Sequence, residues 1–193
     1  MKFKNFTNPN YKGPEKLNPL NICSVDEYDN DSIEKVLNLL PITAQLQSTE
    51  PVKEEDTLKK REVMILGREN KDLSNIKPEL LMKKRKDLDI SLSTIHRSKG
   101  LECDYSIILG LDGGIRGFPK LSGEDPLLSV FLPKGELFPS SEERRVLYVA
   151  MTRAKQNVFL LNSKVLRSSF LDEVVAIAKS NNLNYKEYNF KKN

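Results

Sequence analysis

Four short runs constrain the fold of this chain more than any other feature. Glu62-Val-Met-Ile-Leu-Gly67, Tyr105-Ser-Ile-Ile-Leu-Gly-Leu111 and Asn157-Val-Phe-Leu-Leu161 are apolar nearly throughout, and Asp89-Ile-Ser-Leu-Ser-Thr-Ile95 alternates with period two. Runs of this length suit strands rather than helices, and continuous apolarity means that both faces of a strand are covered. Helical patterns lie between and after them. Glu142 to Lys155 sets Val146, Leu147, Ala150 and Ala154 on one face, with Ser140 or Ser141 as cap and Glu142 and Glu143 in the first turn. Ser168 to Lys179 carries a second stripe of Phe170, Leu171, Val174, Val175 and Ile177. Buried strands joined by helical or long connections predict an α/β domain of three layers with a mainly parallel sheet.

The N-terminal third is less regular. Asp31 to Gln47 puts Ile33, Val36, Leu37, Leu40 and Ala44 on one helical stripe, with Asp31 or Ser32 as N-cap. Pro41 kinks or ends that helix. Residues 1–21, with Pro9, Gly13, Pro14 and Pro19, read as a loop or mobile arm, and residues 48–61 as a polar linker. Residues 112–140 form a long glycine- and proline-rich loop with one helical turn expected at Pro126–Val130. The tail from Asn181 reads as a short strand and a frayed, lysine-bearing end. Residues 1–60 are thus expected to be an N-terminal arm and the start of the domain, and residues 61–193 its body.

Size and composition exclude several classes of function. The 193 residues fit one domain. A net charge of +4 permits nucleic-acid binding without demonstrating it. Cys23 and Cys103 form no spaced pair, so neither a zinc site nor a disulfide framework follows. No stretch approaches the ~20 apolar residues of a membrane helix, and the N-terminus lacks the apolar core of a signal peptide. A cytoplasmic chain with no membrane partner is expected. His96 is the single histidine, which excludes any site with two histidine ligands. No resident metal site is predicted. The chain has no Gly-x-x-x-x-Gly-Lys-Ser/Thr phosphate loop. Val25-Asp-Glu-Tyr-Asp29 looks like a metal-binding acidic box, but only 25 residues precede Asp26, too few for a strand, phosphate loop and helix. It is expected to be a loop leading into the next helix.

Two segments carry the chemistry. Thr94-Ile-His-Arg-Ser-Lys-Gly-Leu-Glu102 places a hydroxyl, an imidazole, a lysine and a glycine at the end of an apolar strand. Glu142-Glu-Arg-Arg-Val-Leu-Tyr-Val-Ala-Met-Thr-Arg-Ala-Lys155 carries an arginine on a helix, from which it can reach across a cleft to a phosphate. In this order, each followed by an apolar strand, they resemble motifs V and VI of the UvrD/Rep group of superfamily 1 DNA helicases. The resemblance implies the second, C-terminal RecA-like domain, a P-loop NTPase-type fold lacking its own P-loop. It implies that Arg153 is an arginine finger, that Thr94, His96 and Lys99 face the DNA backbone, and that Glu102 accepts a hydrogen bond from the ribose. Gly100 would let the backbone approach the phosphates. Met64-Ile-Leu-Gly-Arg68-Glu-Asn70 resembles motif IV, which implies a second γ-phosphate contact from Arg68. Gly67 stands where that motif often has a base-stacking aromatic residue.

The short spacing between motifs IV and V, residues 71–90, and the Gly117-Phe-Pro119, Asp125-Pro-Leu-Leu128 and Phe138-Pro139 runs, most resemble the helicase IV branch. The implied activity is ATP-dependent 3′→5′ travel on single-stranded DNA. ATP and Mg²⁺ would be bound mainly by an N-terminal RecA-like helicase domain, with this chain completing a composite site. By itself the chain is expected to show negligible ATPase activity. Two other readings stay open. One is a HelD-like, nucleotide-responsive module that acts on RNA polymerase. The other is an inactive remnant of a split helicase.

Overall fold

The computed structural model describes residues 20–42, 60–114, 117–120 and 140–191. Its frame is one six-stranded sheet: β1 (Leu20–Val25), β2 (Arg61–Gly67), β3 (Leu88–Thr94), β4 (Cys103–Ile108), β5 (Ala154–Ser163) and β6 (Tyr185–Asn189). The order is β3-β2-β4-β5-β1-β6, and every pairing is parallel. Among the described residues four helices flank it: α1 (Asn30–Leu37), α2 (Pro78–Lys84), α3 (Ser141–Met151) and α4 (Ser169–Ser180), with a 3₁₀ turn at Asn70–Leu73.

Alternation along the strands builds two cores. Val63, Ile65, Phe159 and Leu161 face one side, where they meet Ile33, Val36 and Leu37 of α1 and Leu81 of α2. Met64, Leu66, Val158 and Leu160 face the other, against Val146, Leu147 and Ala150 of α3 and Phe170 and Leu171 of α4. The sheet is therefore covered on both faces, as continuous apolar strands require.

The structure corrects several boundaries. Leu20 and Asn21 are not part of a loose arm but open β1, an inner strand between β5 and β6. The N-cap of α1 is Asp29, whose carboxylate accepts from the Ser32 amide at 2.9 Å, rather than Asp31 or Ser32. The helix ends at Leu37, before Pro41. Helix α3 stops at Met151, not Lys155, because Ala154 is already paired with Cys103 in the sheet. Ser140 precedes α3 in a left-handed conformation (φ 58°) and makes no side-chain capping bond. The turn expected at Pro126–Val130 and the helical stretch beyond Ile42 lie outside the described residues.

The acidic box is used structurally. Besides the capping role of Asp29, Tyr28 donates to Asp112 at 2.7 Å and Asp26 pairs with Lys164 at 2.8 Å. Asp112 also accepts from the Ser163 amide at 2.5 Å, which ties the ends of β1, β4 and β5 together. Among the described residues no group of acidic, histidine or cysteine side chains could hold a metal ion. None of the described helices is long and apolar enough to cross a membrane. On the α1 face, Arg85 is buried and supports the end of α1. Its guanidinium donates to the carbonyls of Leu37, Leu40 and Pro41 and makes a two-pronged pair with Asp87 at 2.9 Å on each prong.

Candidate functional site

The predicted site residues separate into two groups at opposite edges of the sheet. At the carboxyl edge β2 ends in Gly67 and β3 in Thr94, and these two residues are paired. Arg68 follows Gly67 directly, and His96 lies two residues after Thr94. At the amino edge stand Glu102, just before β4, and Arg153, just before β5. Leu66 pairs with Ile108 at one level and Ala154 with Cys103 at the other. The five residue steps from Cys103 to Ile108 put about 17 Å between those levels. Helix α3 covers about the same distance, with Glu143 in its first turn near Arg68 and Arg153 just past its end.

The connection from Ile95 to Glu102 runs between the edges in tight turns. The Ser98 amide donates to Thr94 O at 3.0 Å, and its buried hydroxyl donates to Ile95 O at 2.7 Å. The Leu101 amide donates to Ser98 O at 3.0 Å. His96, Arg97, Lys99, Gly100, Leu101 and Glu102 are left exposed. Gly100 has φ +86° and open space beside it, so the backbone there is both left-handed and approachable.

Arg153 and Arg68 are held in different ways. Arg153 lies in the turn after α3 rather than on the helix. Its guanidinium donates to Val149 O at 2.9 Å, Leu101 O at 3.0 Å and Thr152 Oγ1 at 3.3 Å. All three acceptors are neutral, and among the described residues no carboxylate pairs with it. The β4–β5 register is irregular between Cys103 and Tyr105, and the Arg153 carbonyl accepts from the Cys103 amide at 3.0 Å. Bulges of this kind often aim a side chain at a site. Glu102 is exposed, 3.4 Å from Lys155.

Arg68 is gripped by a carboxylate. Its Nη2 lies 2.6 Å from Glu143 Oε1 and its Nε 3.2 Å from Oε2, while Nη1 faces His96 Nδ1 at 3.5 Å. Hydrogen bonding to Glu143 holds the guanidinium still more firmly in its charged form. The structure thus does not bring Arg68 to Arg153, because each is engaged at its own end of α3. Arg68 groups with Thr94 and His96.

Residues 3–164 match the UvrD-like helicase C-terminal domain family. The chain belongs to that family. The sheet with its two helical layers is accordingly a RecA-like α/β domain. The chain is 46% identical over 85 residues to DNA helicase IV of Escherichia coli K12, an alignment covering 44% of this chain and 12% of that protein. It is 32% identical over 151 residues to a probable DNA helicase II homolog of Mycoplasma capricolum, covering 68% of this chain and 19% of that protein. The chain therefore spans less than a fifth of either relative. A crystal structure of the C-terminal domain of a possible DNA helicase from Lactobacillus plantarum WCFS1 aligns with 88% of this chain and 84% of its own, at 16% identity and a TM-score of 0.43.

In this UvrD-like domain Glu143 does more than its expected place in the first turn of a helix implies. A signal was present. Glu143 heads the stripe Val146, Leu147, Ala150 at i+3, i+4 and i+7, and a carboxylate on a buried stripe requires a partner. Cys103, beside Arg153, is no nucleophile: burial pushes its thiol up to about 12, so it is protonated at neutral pH.

Gly67 has a packing reason to lack a side chain. A Cβ there would lie 2.9 Å from Glu69 O and 3.0 Å from Asp72 Cβ and Leu73 Cγ. Gly67→Ala is therefore expected to lower stability by about 1–3 kcal/mol, as overpacking does. Urea unfolding checks this, and an unchanged midpoint would show that the 3₁₀ turn yields freely.

Proposed function

We propose that this UvrD-like domain is the C-terminal motor domain of an ATP-dependent 3′→5′ DNA helicase, acting in the cytoplasm. The observation that supports it best is the separation of two differently built edges. The amino edge offers Arg153, a cation on neutral acceptors, beside the exposed Glu102 and the open backbone at Gly100. That set suits a polyphosphate, with Glu102 accepting from the ribose. The carboxyl edge offers Thr94, His96 and Arg68, which suit a nucleic-acid backbone, and Lys99 lies in the exposed turns between. Backbone contacts of this type are largely sequence-independent and weaken with salt.

ATP would bind between the amino edge and an N-terminal RecA-like helicase domain. That domain would supply the phosphate cradle and the carboxylate that holds Mg²⁺. Bound ATP supplies the phosphoryl group and the charge that Arg153 stabilises. Closure and reopening of the cleft would move the DNA edge relative to the partner domain and so advance the strand.

The test uses this chain joined to its N-terminal helicase domain. Combined Thr94→Ala and His96→Ala substitution is expected to raise the DNA concentration for half-maximal ATPase stimulation about 10-fold, from two lost backbone contacts, with basal turnover unchanged. Glu102→Gln is expected to raise KM for ATP with DNA affinity unchanged. Should both variants alter both quantities alike, the two-edge reading fails.

A further inference from the structure

The pair formed by Glu143 and Arg68 joins residues 75 apart in sequence. Its geometry is that of a mounted arginine. A guanidinium has five N–H donors in a rigid fork. Glu143 takes one from Nε and one from Nη2. Nη1 is left facing His96 Nδ1 at 3.5 Å, and the His96 side of the pair is exposed. The arginine side chain is 23% exposed and the carboxylate side chain 11%, so the grip is sheltered while the outer edge is not. Glu143 is itself fixed by its place on α3 and by the Lys120 amide, which donates to Oε2 at 3.4 Å. Of the other charges nearby, Lys71 and Lys120 both pair with Glu69, at 2.8 and 3.1 Å, and Asp72 accepts from the Glu69 amide at 2.7 Å.

We propose that Glu143 is a positioning residue for DNA capture: it grips one edge of the Arg68 guanidinium so that the other edge, beside His96, meets a backbone phosphate. The inference rests on the reading of the carboxyl edge as the DNA edge. Glu143 touches no nucleic acid and acts through Arg68. A bare arginine at this place would carry the same charge but would sample many rotamers, and binding would have to fix it. Because the grip sits on α3, the DNA edge and the Arg153 turn become two ends of one rigid element.

Charge and positioning predict opposite signs, which makes the test decisive. Glu143→Gln removes a negative charge beside a phosphate site. Electrostatics alone therefore predicts tighter binding of DNA. Loss of a positioned, charge-assisted contact predicts binding weaker by about 10-fold. The experiment is fluorescence anisotropy of the 193-residue chain with a labelled oligo-dT of about ten nucleotides. The imidazole NMR signals of His96, the single histidine, are followed in parallel.

The expected results are a saturable imidazole shift in the unaltered chain, about 10-fold weaker binding in Glu143→Gln and in Arg68→Ala, and no further loss in the double variant. Glu143→Asp keeps the charge but shortens the reach, and it is expected to weaken binding as well. It carries the test if Glu143→Gln fails to fold. Equal or tighter binding by a folded Glu143→Gln or Glu143→Asp overturns the positioning role while leaving the DNA edge intact. Absence of both binding and an imidazole shift in the unaltered chain overturns the DNA edge itself, and the positioning role with it.

Discussion

In a helicase assembled from this chain and its N-terminal motor domain, Arg153→Ala is expected to cut DNA-stimulated ATP turnover about 10³-fold, with ATP binding retained. The physical basis is the setting of the guanidinium. It rests on Val149 O, Leu101 O and Thr152 Oγ1, which orient it without neutralising it. An arginine already paired with a carboxylate would have to break that pair to help a phosphate, whereas this one does not. In the proposed role its contribution would grow as negative charge develops on the transferred group, so the loss should fall on kcat rather than on KM. Three decades in rate correspond to about 4 kcal/mol of transition-state stabilisation.

Arg153→Lys keeps a charge but loses the planar fork, and it should lie between the two. Arg144, paired with Glu173 on the outer side of α3 at 2.7 Å, serves as the comparison. Its replacement by alanine is expected to leave turnover within a few-fold, in line with the small worth of exposed ion pairs. Arg68→Ala should show a different signature, a greater DNA requirement rather than a collapse of kcat. If Arg153→Ala hydrolyses ATP at the unaltered rate, the arginine-finger role is lost, and a nucleotide-responsive interaction module becomes the better account of this edge.

The sheet was legible where its strands are buried on both faces. β2, β4 and β5 read as apolar runs because no side of them meets water. β1 was harder to see as an inner strand, because two of its six residues are polar and suited to a loop. Their partners lie on β5: Asn21 Nδ2 donates to Val158 O at 3.4 Å and the Ser24 hydroxyl to Asn162 Oδ1 at 3.2 Å. Hydrophobic periodicity cannot register hydrogen bonds made across 137 or 138 residues of chain. Arg153 was expected on a helix because Ala154 and Lys155 continue the helical pattern. The irregular pairing of Cys103 to Tyr105 with Ala154 to Asn157 starts the strand sooner. The motif resemblance puts Arg68 beside the γ-phosphate, and the sequence around Arg68 carries no information about its pairing with Glu143, 75 residues away. The split of the motif residues into two edges follows from topology, since the turns after Thr94 carry the chain from the carboxyl end of β3 to the amino end of β4.

Arg85 shows the same limit in the core, and its removal should have the largest effect on stability. It sits in the basic run Lys83-Lys84-Arg85-Lys86, yet only 8% of it is exposed. A helix leaves its last carbonyls without intrahelical donors, and buried carbonyls need partners. Arg85 supplies them to Leu37, Leu40 and Pro41, while Asp87 balances its charge. A lysine could meet the charge but not several acceptors in one plane. Arg85→Ala would remove the counter-charge of a largely buried carboxylate and the guanidinium donors to Leu40 O and Pro41 O, while Leu37 O keeps the Leu40 amide at 3.1 Å. The expected cost is about 3 kcal/mol, which for a chain of this size lowers the melting temperature by roughly 6–12 °C. Asp87→Asn should cost less, because the guanidinium keeps its carbonyls and retains a neutral acceptor. Thermal and urea unfolding of the two variants decide the matter. Equal losses would mean that the ion pair dominates and the carbonyls of the α1 end contribute little. A loss below about 1 kcal/mol in Arg85→Ala would mean that water replaces the guanidinium there at small cost.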